Sequence, residues 1–412
     1  MIAQLLQRRN DIRVLLMADQ ALMSANGFAS NFLLAWSLGL HLYGSYALAI
    51  LALSLVNTVI QSVLLMPAQV RYPRLSASRQ PAYLGAIFLA ALLSIGVLSV
   101  LNALVFHLLY DYAIGVIPMA LGGAAWLMSD FLRRLAILAR PGKALLAADS
   151  FSTLVLLLGL VVLKPSTADA AFALLGTASL CSLILLAILP FQIPQAKDWR
   201  HMLLYTLQSG KWLLPTALVQ WGSSNFLIMA AAWWVSGAVL GTLRLAQYVF
   251  GLLNIFLQAY EGFALPRIAS WPLHQRSRLI PVLQLSWPFL GPVLVLSIGI
   301  GLLFPVLVPA LHLSEAPVPI WIPLGMTVLY VCIVLVYPLR MLIRAAEMNR
   351  SYFFAHVVSL GFIVLLSPFI IGRLGASGIV AGMILSQLIL GLLWLRQLNN
   401  QHPHLWKLST SH

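Results

Sequence analysis

Residues 36–74 read WSLGLHLYGSYALAILALSLVNTVIQSVLLMPAQVRYPR, and residues 233–267 read WWVSGAVLGTLRLAQYVFGLLNIFLQAYEGFALPR. Shifted by 197 residues, Trp36 falls on Trp233, Gly44 on Gly241, Leu48 on Leu245 and Ala49 on Ala246; Leu55 then falls on Leu252, Asn57 on Asn254 and Gln61 on Gln258. Matched Trp, Gly, Asn and Gln are costly coincidences in a Leu-rich chain. Each copy holds about 20 apolar residues, enough for a helix to cross the roughly 30 Å hydrocarbon core. Each also ends in a basic loop, at Pro73-Arg74 and at Pro266-Arg267.

Working outward from these copies, ten more apolar stretches lie between polar or proline-marked breaks. The full set is Ile12–Trp36, Gly44–Met66, Tyr83–His107, Ala113–Phe131, Ala147–Leu163 and Asp169–Pro190, then Lys211–Val235, Ala238–Gly262, Pro281–Val308, Pro317–Pro338, Tyr352–Ile371 and Gly375–Gln397. The spacing predicts an all-α integral membrane protein of about 12 transmembrane helices. Residues 1–190 form one six-helix bundle, 191–210 a cytoplasmic linker, 211–398 a second bundle and 399–412 a cytoplasmic tail. Six spans per half is an even number, so the halves share one orientation. Such a parallel repeat is an architecture of secondary transporters.

Composition agrees. Of the 412 residues 61% are hydrophobic and only 8% charged, which excludes an ordinary soluble globule whose surface must face water. Two cysteines exclude a disulfide scaffold or a Cys-based zinc site. The net charge of +14 would suggest nucleic acid in a soluble chain, but the placement of the charge points to a membrane. With both termini cytoplasmic, only Lys164 and Arg373 of the 24 Lys and Arg fall in outside loops, and Arg244 lies within a span. The other basic residues are all inside, as the positive-inside rule requires. The basic balance therefore reflects topology and contact with anionic membrane lipids; no nucleic-acid partner is expected. Trp36, Trp233 and Trp234 outside, and Trp199, Trp212 and Trp394 inside, fit an interfacial belt. The first apolar stretch is too long for a cleaved signal peptide.

The loops bear on function. Those outside are short and carry few acids, so an integral-membrane enzyme of polysaccharide assembly would lack a site for acid–base chemistry. No G-x-x-x-x-G-K-[ST] occurs, so the chain is not expected to hydrolyse ATP. His402 and His404 read as a solvated tail rather than a metal site. No catalytic residue, metal or cofactor is expected; an ion gradient, H+ or Na+, would supply the driving force.

Asp19-Gln20 with Ser24, Asn26 and Phe28, followed by Leu42-Tyr43-Gly44-Ser45-Tyr46-Ala47, resembles the opening of the Wzx-type polysaccharide flippases. Gly241-Thr-Leu-Arg244-Leu-Ala-Gln247 with Pro266-Arg267 is similar to that family's eighth helix and exit loop. The wider group is the multidrug/oligosaccharidyl-lipid/polysaccharide (MOP) superfamily. The resemblance implies two bundles around a central cavity, in a bacterial cytoplasmic (inner) membrane, with lipid-linked oligosaccharide moved outward by alternating access. It also implies contact with polysaccharide polymerase or assembly proteins. Lipid II flippases carry several basic residues in their first two helices; here those helices hold none beyond their cytoplasmic ends. Rival readings are a drug/cation antiporter of the same superfamily and a non-transporting, lipid-binding relative.

Polar residues inside the spans mark the candidate site, because a charge at a helix centre costs about 2.5–3.5 kcal/mol on insertion scales. Asp19 lies roughly 10 Å into the first helix at 1.5 Å per residue, with Asn26 on the same face. The pair is either an ion-coupling site or a packing contact, Asp19 then being bonded to a nearby inner arginine. In the eighth helix Arg244, Gln247, Tyr248, Gly251, Asn254, Gln258 and Glu261 share an arc of about 140°. Arg244 there either binds an anion such as a pyrophosphate or snorkels to the outer headgroups. With Gln247, Tyr248, Asn254 and Gln258, and with Asn57 and Gln61 of the second helix, it makes the candidate substrate-binding set. Asp130 is expected to pair with Arg134, and Glu261 to lie close to Arg267.

Overall fold

The computed structural model describes residues 12–110, 114–139, 142–183, 189, 191–192, 196–271, 279–310 and 319–401. Every regular element among them is helical, as expected where lipid offers the backbone no hydrogen-bond partner. Ile12–Ile60 is two helices joined at Gly39 (φ 70°, ψ 157°), a conformation in which a Cβ is strained. They are α1, residues 12–38, and α2, residues 40–71, which passes through a π turn at Gln61–Leu65. Then follow α3 (Gln80–Leu109), α4 (Val116–Ala139), α5 (Gly142–Leu163), α6 (Ala168–Leu180) and α7 (Ala196–Ala231). The eighth apolar stretch is a pair, α8 (Gly237–Gly251) and α9 (Asn254–Ser270), bent by 42°. The chain closes with α10 (Leu279–Ala310), α11 (Trp321–Ala345), α12 (Asn349–Leu374) and α13 (Ala376–Gln401).

Among the described residues each of the twelve apolar stretches falls mainly on helix; residues 113, 184–188, 190 and 317–318 of the fourth, sixth and tenth stretches lie outside the described residues. Seven helices among the described residues are long and apolar enough to cross a membrane, and the α8–α9 pair makes an eighth. One of the seven, 18–74, holds the second stretch and residues 18–36 of the first. On α3 the exposed residues Leu93, Val97, Val100, Leu101, Leu104 and Leu108 form one apolar face. Water would not tolerate such a face, and lipid would. The chain is a multi-pass membrane protein. The stretch 191–210, read from sequence as a linker, is helical from Ala196 and runs on into the seventh apolar stretch.

Two compact units divide the chain, Met1–Leu218 and Val219–His412. Each repeats the other's internal plan. The break at Gly39 lies 197 residues before Ser236, the extended N-cap of α8 (φ −67°, ψ 154°), so the register of the sequence repeat holds in the backbone. In the first unit α4 packs on α3 and on α6; in the second α11 packs on α10 and on α13. Small residues bring the second of these pairs close. A Cβ on Gly122 would sit 2.4 Å from the Phe172 carbonyl oxygen, and one on Gly325 would sit 2.6 Å from Val380 Cγ1.

Candidate functional site

In the first unit three helices converge on one guanidinium. Arg133 of α4 donates from Nη2 to Asp19 Oδ2 of α1 at 2.5 Å and from Nε to Asp149 Oδ2 of α5 at 2.8 Å. All three side chains are buried. Two carboxylates share one cation, which leaves a formal charge of −1 if all are ionised. Asp19 Oδ1 is buried with no donor among the described residues, although a buried carboxylate normally gathers hydrogen bonds to both oxygens. Asp19 thus has the arginine partner that was one of its two sequence readings. Asn26 sits two turns along α1, with its Oδ1 also buried and without a donor among the described residues.

Beside this cluster α4 carries a second one. Asp130 Oδ2 accepts from Arg134 Nε at 2.9 Å, Asn57 Nδ2 at 3.1 Å and Gln61 Nε2 at 3.4 Å. The expected Asp130–Arg134 pair is present. Asn57 and Gln61 stand one turn apart on α2, so their amides reach the same carboxylate.

In the second unit the polar stripe is split. Arg244, Gln247 and Tyr248 lie on α8, while Asn254, Gln258 and Glu261 lie beyond the bend on α9. Arg244 Nη1 donates to Gln247 Oε1 at 2.8 Å and Nη2 to the Tyr248 hydroxyl at 3.5 Å, and its guanidinium lies 5.2 Å from the Tyr248 ring centroid. Helical side chains normally lean toward the N-terminus, and for α8 that is the direction a snorkelling arginine would take. Arg244 instead folds onto the following turn, and its Nε is buried without an acceptor among the described residues. Gln247 Nε2 reaches Met383 Sδ at 3.8 Å. Asn254 and Gln258 are exposed.

Two expectations need correction here. Glu261 pairs not with Arg267 but with Arg344 of α11, accepts from the Tyr337 hydroxyl at 3.0 Å and lies 4.0 Å from Arg340. Six residues on a helix turn through about 600°, so Arg267 points to another side; it lies over the Phe263 ring instead. Trp394 does not face the surrounding lipid as a belt residue would. It is buried, stacked on Tyr352 with ring centroids 5.5 Å apart and edge-on to His356, whose Nδ1 lies 3.1 Å from Ser223 Oγ. Arg133, Asp149 and the Arg340–Arg344 pair are the polar residues the sequence reading left out of the site. A signal existed for the first: Asp130 cannot neutralise both Arg133 and Arg134.

No known protein-family pattern matches the chain, and no curated sequence matches it. Solved structures do. A lipid II flippase, MurJ, in its inward closed conformation aligns with a TM-score of 0.64 at 14% identity, covering 94% of this chain and 87% of that one. An inward-facing multidrug resistance MATE family transporter of the MOP superfamily aligns at 0.67 and 12%, covering 92% and 94%. A eukaryotic MATE transporter aligns at 0.53 and 12%, covering 94% and 98%. The molecule is an all-α membrane protein built as a duplicated bundle. More particularly, it has the fold of the MOP-superfamily transporters.

Proposed function

We propose that the chain is a Wzx-type flippase. It moves an undecaprenyl-pyrophosphate-linked oligosaccharide from the inner to the outer leaflet of a bacterial cytoplasmic membrane by alternating access, with both termini cytoplasmic and no catalytic chemistry of its own. The observation that carries this reading is the posture of Arg244. A cation inside an apolar span folds toward the C-terminal end of its helix, away from the end it would snorkel to, and keeps a buried Nε that no acceptor among the described residues reaches. A pyrophosphate supplies anionic oxygens in the geometry that Nε and Nη2 bind as a fork. Gln247, Tyr248, Asn254 and Gln258 are the candidate substrate contacts of the second unit, and Asn57 and Gln61 those of the first.

Asp19, with Arg133 and Asp149, is the coupling site in this scheme. The excess carboxylate takes up a proton or Na+, and discharge of that ion resets the bundle; Asn26 lines its route. The reading is tested by glycan export in Arg244→Lys, Arg244→Gln and Arg244→Ala at matched expression. An intermediate lysine with two defective neutral variants supports it, and wild-type export in Arg244→Ala removes Arg244 from the site.

A second reading, a drug/cation antiporter, has one observation in its favour. The buried first-unit cluster carries a surplus acid, which suits cation exchange. Efflux of a lipophilic cation such as ethidium, set beside glycan export in the same strain, separates the two.

A further inference from the structure

Arg340 and Arg344 stand one turn apart near the C-terminal end of α11, and Glu261 of α9 is the acid between them. Glu261 can neutralise only one of the two. It is bonded to Arg344, while Arg340 Nη2 remains 4.0 Å away. Arg340 also lies 5.4 Å from the Tyr337 ring centroid and shares a side-chain hydrogen bond with Tyr352, yet its Nε is buried without an acceptor among the described residues. Both arginine side chains are about one-third exposed, at 37% and 34%. The cluster thus keeps a formal charge of +1 and an unfilled donor. In the first unit, by contrast, Arg134 is matched by Asp130, and Arg133 is outnumbered by two acids.

We propose that Arg340 and Arg344 form a second anion station in the second unit, which takes the phosphate of a lipid head before it reaches Arg244. Seventeen residues separate Arg244 from Glu261, roughly 25 Å of helix path, which is close to a hydrocarbon thickness. The two stations share one chemical feature, an arginine Nε buried without an acceptor. Glu261 acts as the internal stand-in for the phosphate: it holds Arg344 in place when the station is empty and gives way to a more highly charged anion. This inference rests on the flippase reading of Arg244 and adds a loading point to it.

The phosphate could come from a polyprenyl diphosphate or from an anionic phospholipid, and the test separates them. The full-length protein is placed in phosphatidylcholine nanodiscs and titrated with geranylgeranyl diphosphate. A parallel arm measures co-purification of phosphatidylglycerol from mixed nanodiscs. The variants are Arg340→Gln, Arg340→Lys, Glu261→Gln and Arg244→Gln. Loss of a forked pair of charge-assisted bonds should weaken binding by Arg340→Gln about tenfold or more, with Arg340→Lys between it and wild type. Glu261→Gln should tighten binding several-fold, a gain that misfolding does not produce. An effect confined to the diphosphate arm assigns the station to substrate, and one confined to phosphatidylglycerol assigns it to the surrounding lipid. Wild-type binding by Arg340→Gln and Glu261→Gln in both arms overturns the station. If Arg244→Gln is then still defective, the flippase reading survives; if the Arg340 series responds and Arg244→Gln does not, that reading fails and the station stands.

Discussion

Arg133 and Asp19 sit 114 residues apart in sequence and 2.5 Å apart in space, in an ion pair from which water is nearly excluded. The pair ties α1 to α4, and Asp149 extends it to α5. A buried ion pair is weak evidence for stability, because desolvation offsets much of the attraction. Under the proposed coupling role, one acid too many and an Asp19 Oδ1 that no donor among the described residues reaches suit a site that gains and loses a cation.

Removing partners of this cluster should separate fold from coupling. Arg133→Gln leaves two buried carboxylates without a cation and should cost about 3–5 kcal/mol, the typical penalty for breaking a buried pair. Asp149→Asn leaves a neutral Asp19–Arg133 pair and should preserve folding while abolishing turnover. Thermal unfolding in detergent and transport in proteoliposomes check the two. If Asp149→Asn transports like wild type, the cluster is a packing device.

Gly39 supplies a second check. Its φ of 70° separates α1 from α2, and a Cβ there meets no neighbour, so any cost of Gly39→Ala is conformational. At φ 70° and ψ 157°, a combination essentially confined to glycine, a Cβ should destabilise the variant by about 1–3 kcal/mol. Gly27→Ala, in open space at helical geometry, should be neutral or slightly stabilising in the same melting experiment.

The α4–α6 crossing should be less tolerant. A Cβ on Gly122 would collide with backbone, the Phe172 carbonyl at 2.4 Å, and backbone cannot rotate aside as a side chain can. Gly122→Ala should lower the melting temperature more than Gly159→Ala, whose Cβ meets the flexible end of Leu174. Equal shifts would mean that the crossing relaxes freely.

Much of this was legible in the chain. The 197-residue register relates the two helix breaks, since Gly39 and Ser236 both fall in the short gaps between apolar stretches. The stretches were visible because lipid-facing rows such as Leu93, Val97 and Leu104 have no other use. Less visible was the partner of each charge. Asp19, Arg133 and Asp149 lie on different helices, and helical periodicity relates only residues on one helix. The same limit explains Glu261, where proximity in sequence favoured Arg267 and tertiary packing supplied Arg344. The bend that splits α8 from α9 carries no proline; Gly251 beside it lies in a run that otherwise reads as one continuous helix.

Sidedness rests on the charge asymmetry of the loops and is open to a simple test. Reporter fusions after Asn10 and after Trp406 should both give a cytoplasmic signal, and a periplasmic signal at either end would remove the orientation on which the order of the two arginine stations depends.

The decisive measurement is flipping itself. The purified protein is reconstituted in proteoliposomes with a fluorescent undecaprenyl-diphosphate-linked oligosaccharide, and the fraction open to an impermeant quencher is followed under an imposed pH or Na+ gradient. The expected result is gradient-driven movement of the lipid-linked sugar that Arg244→Ala abolishes and Arg244→Lys partly restores. Movement of a lipophilic cation with no movement of the lipid-linked sugar would contradict the account.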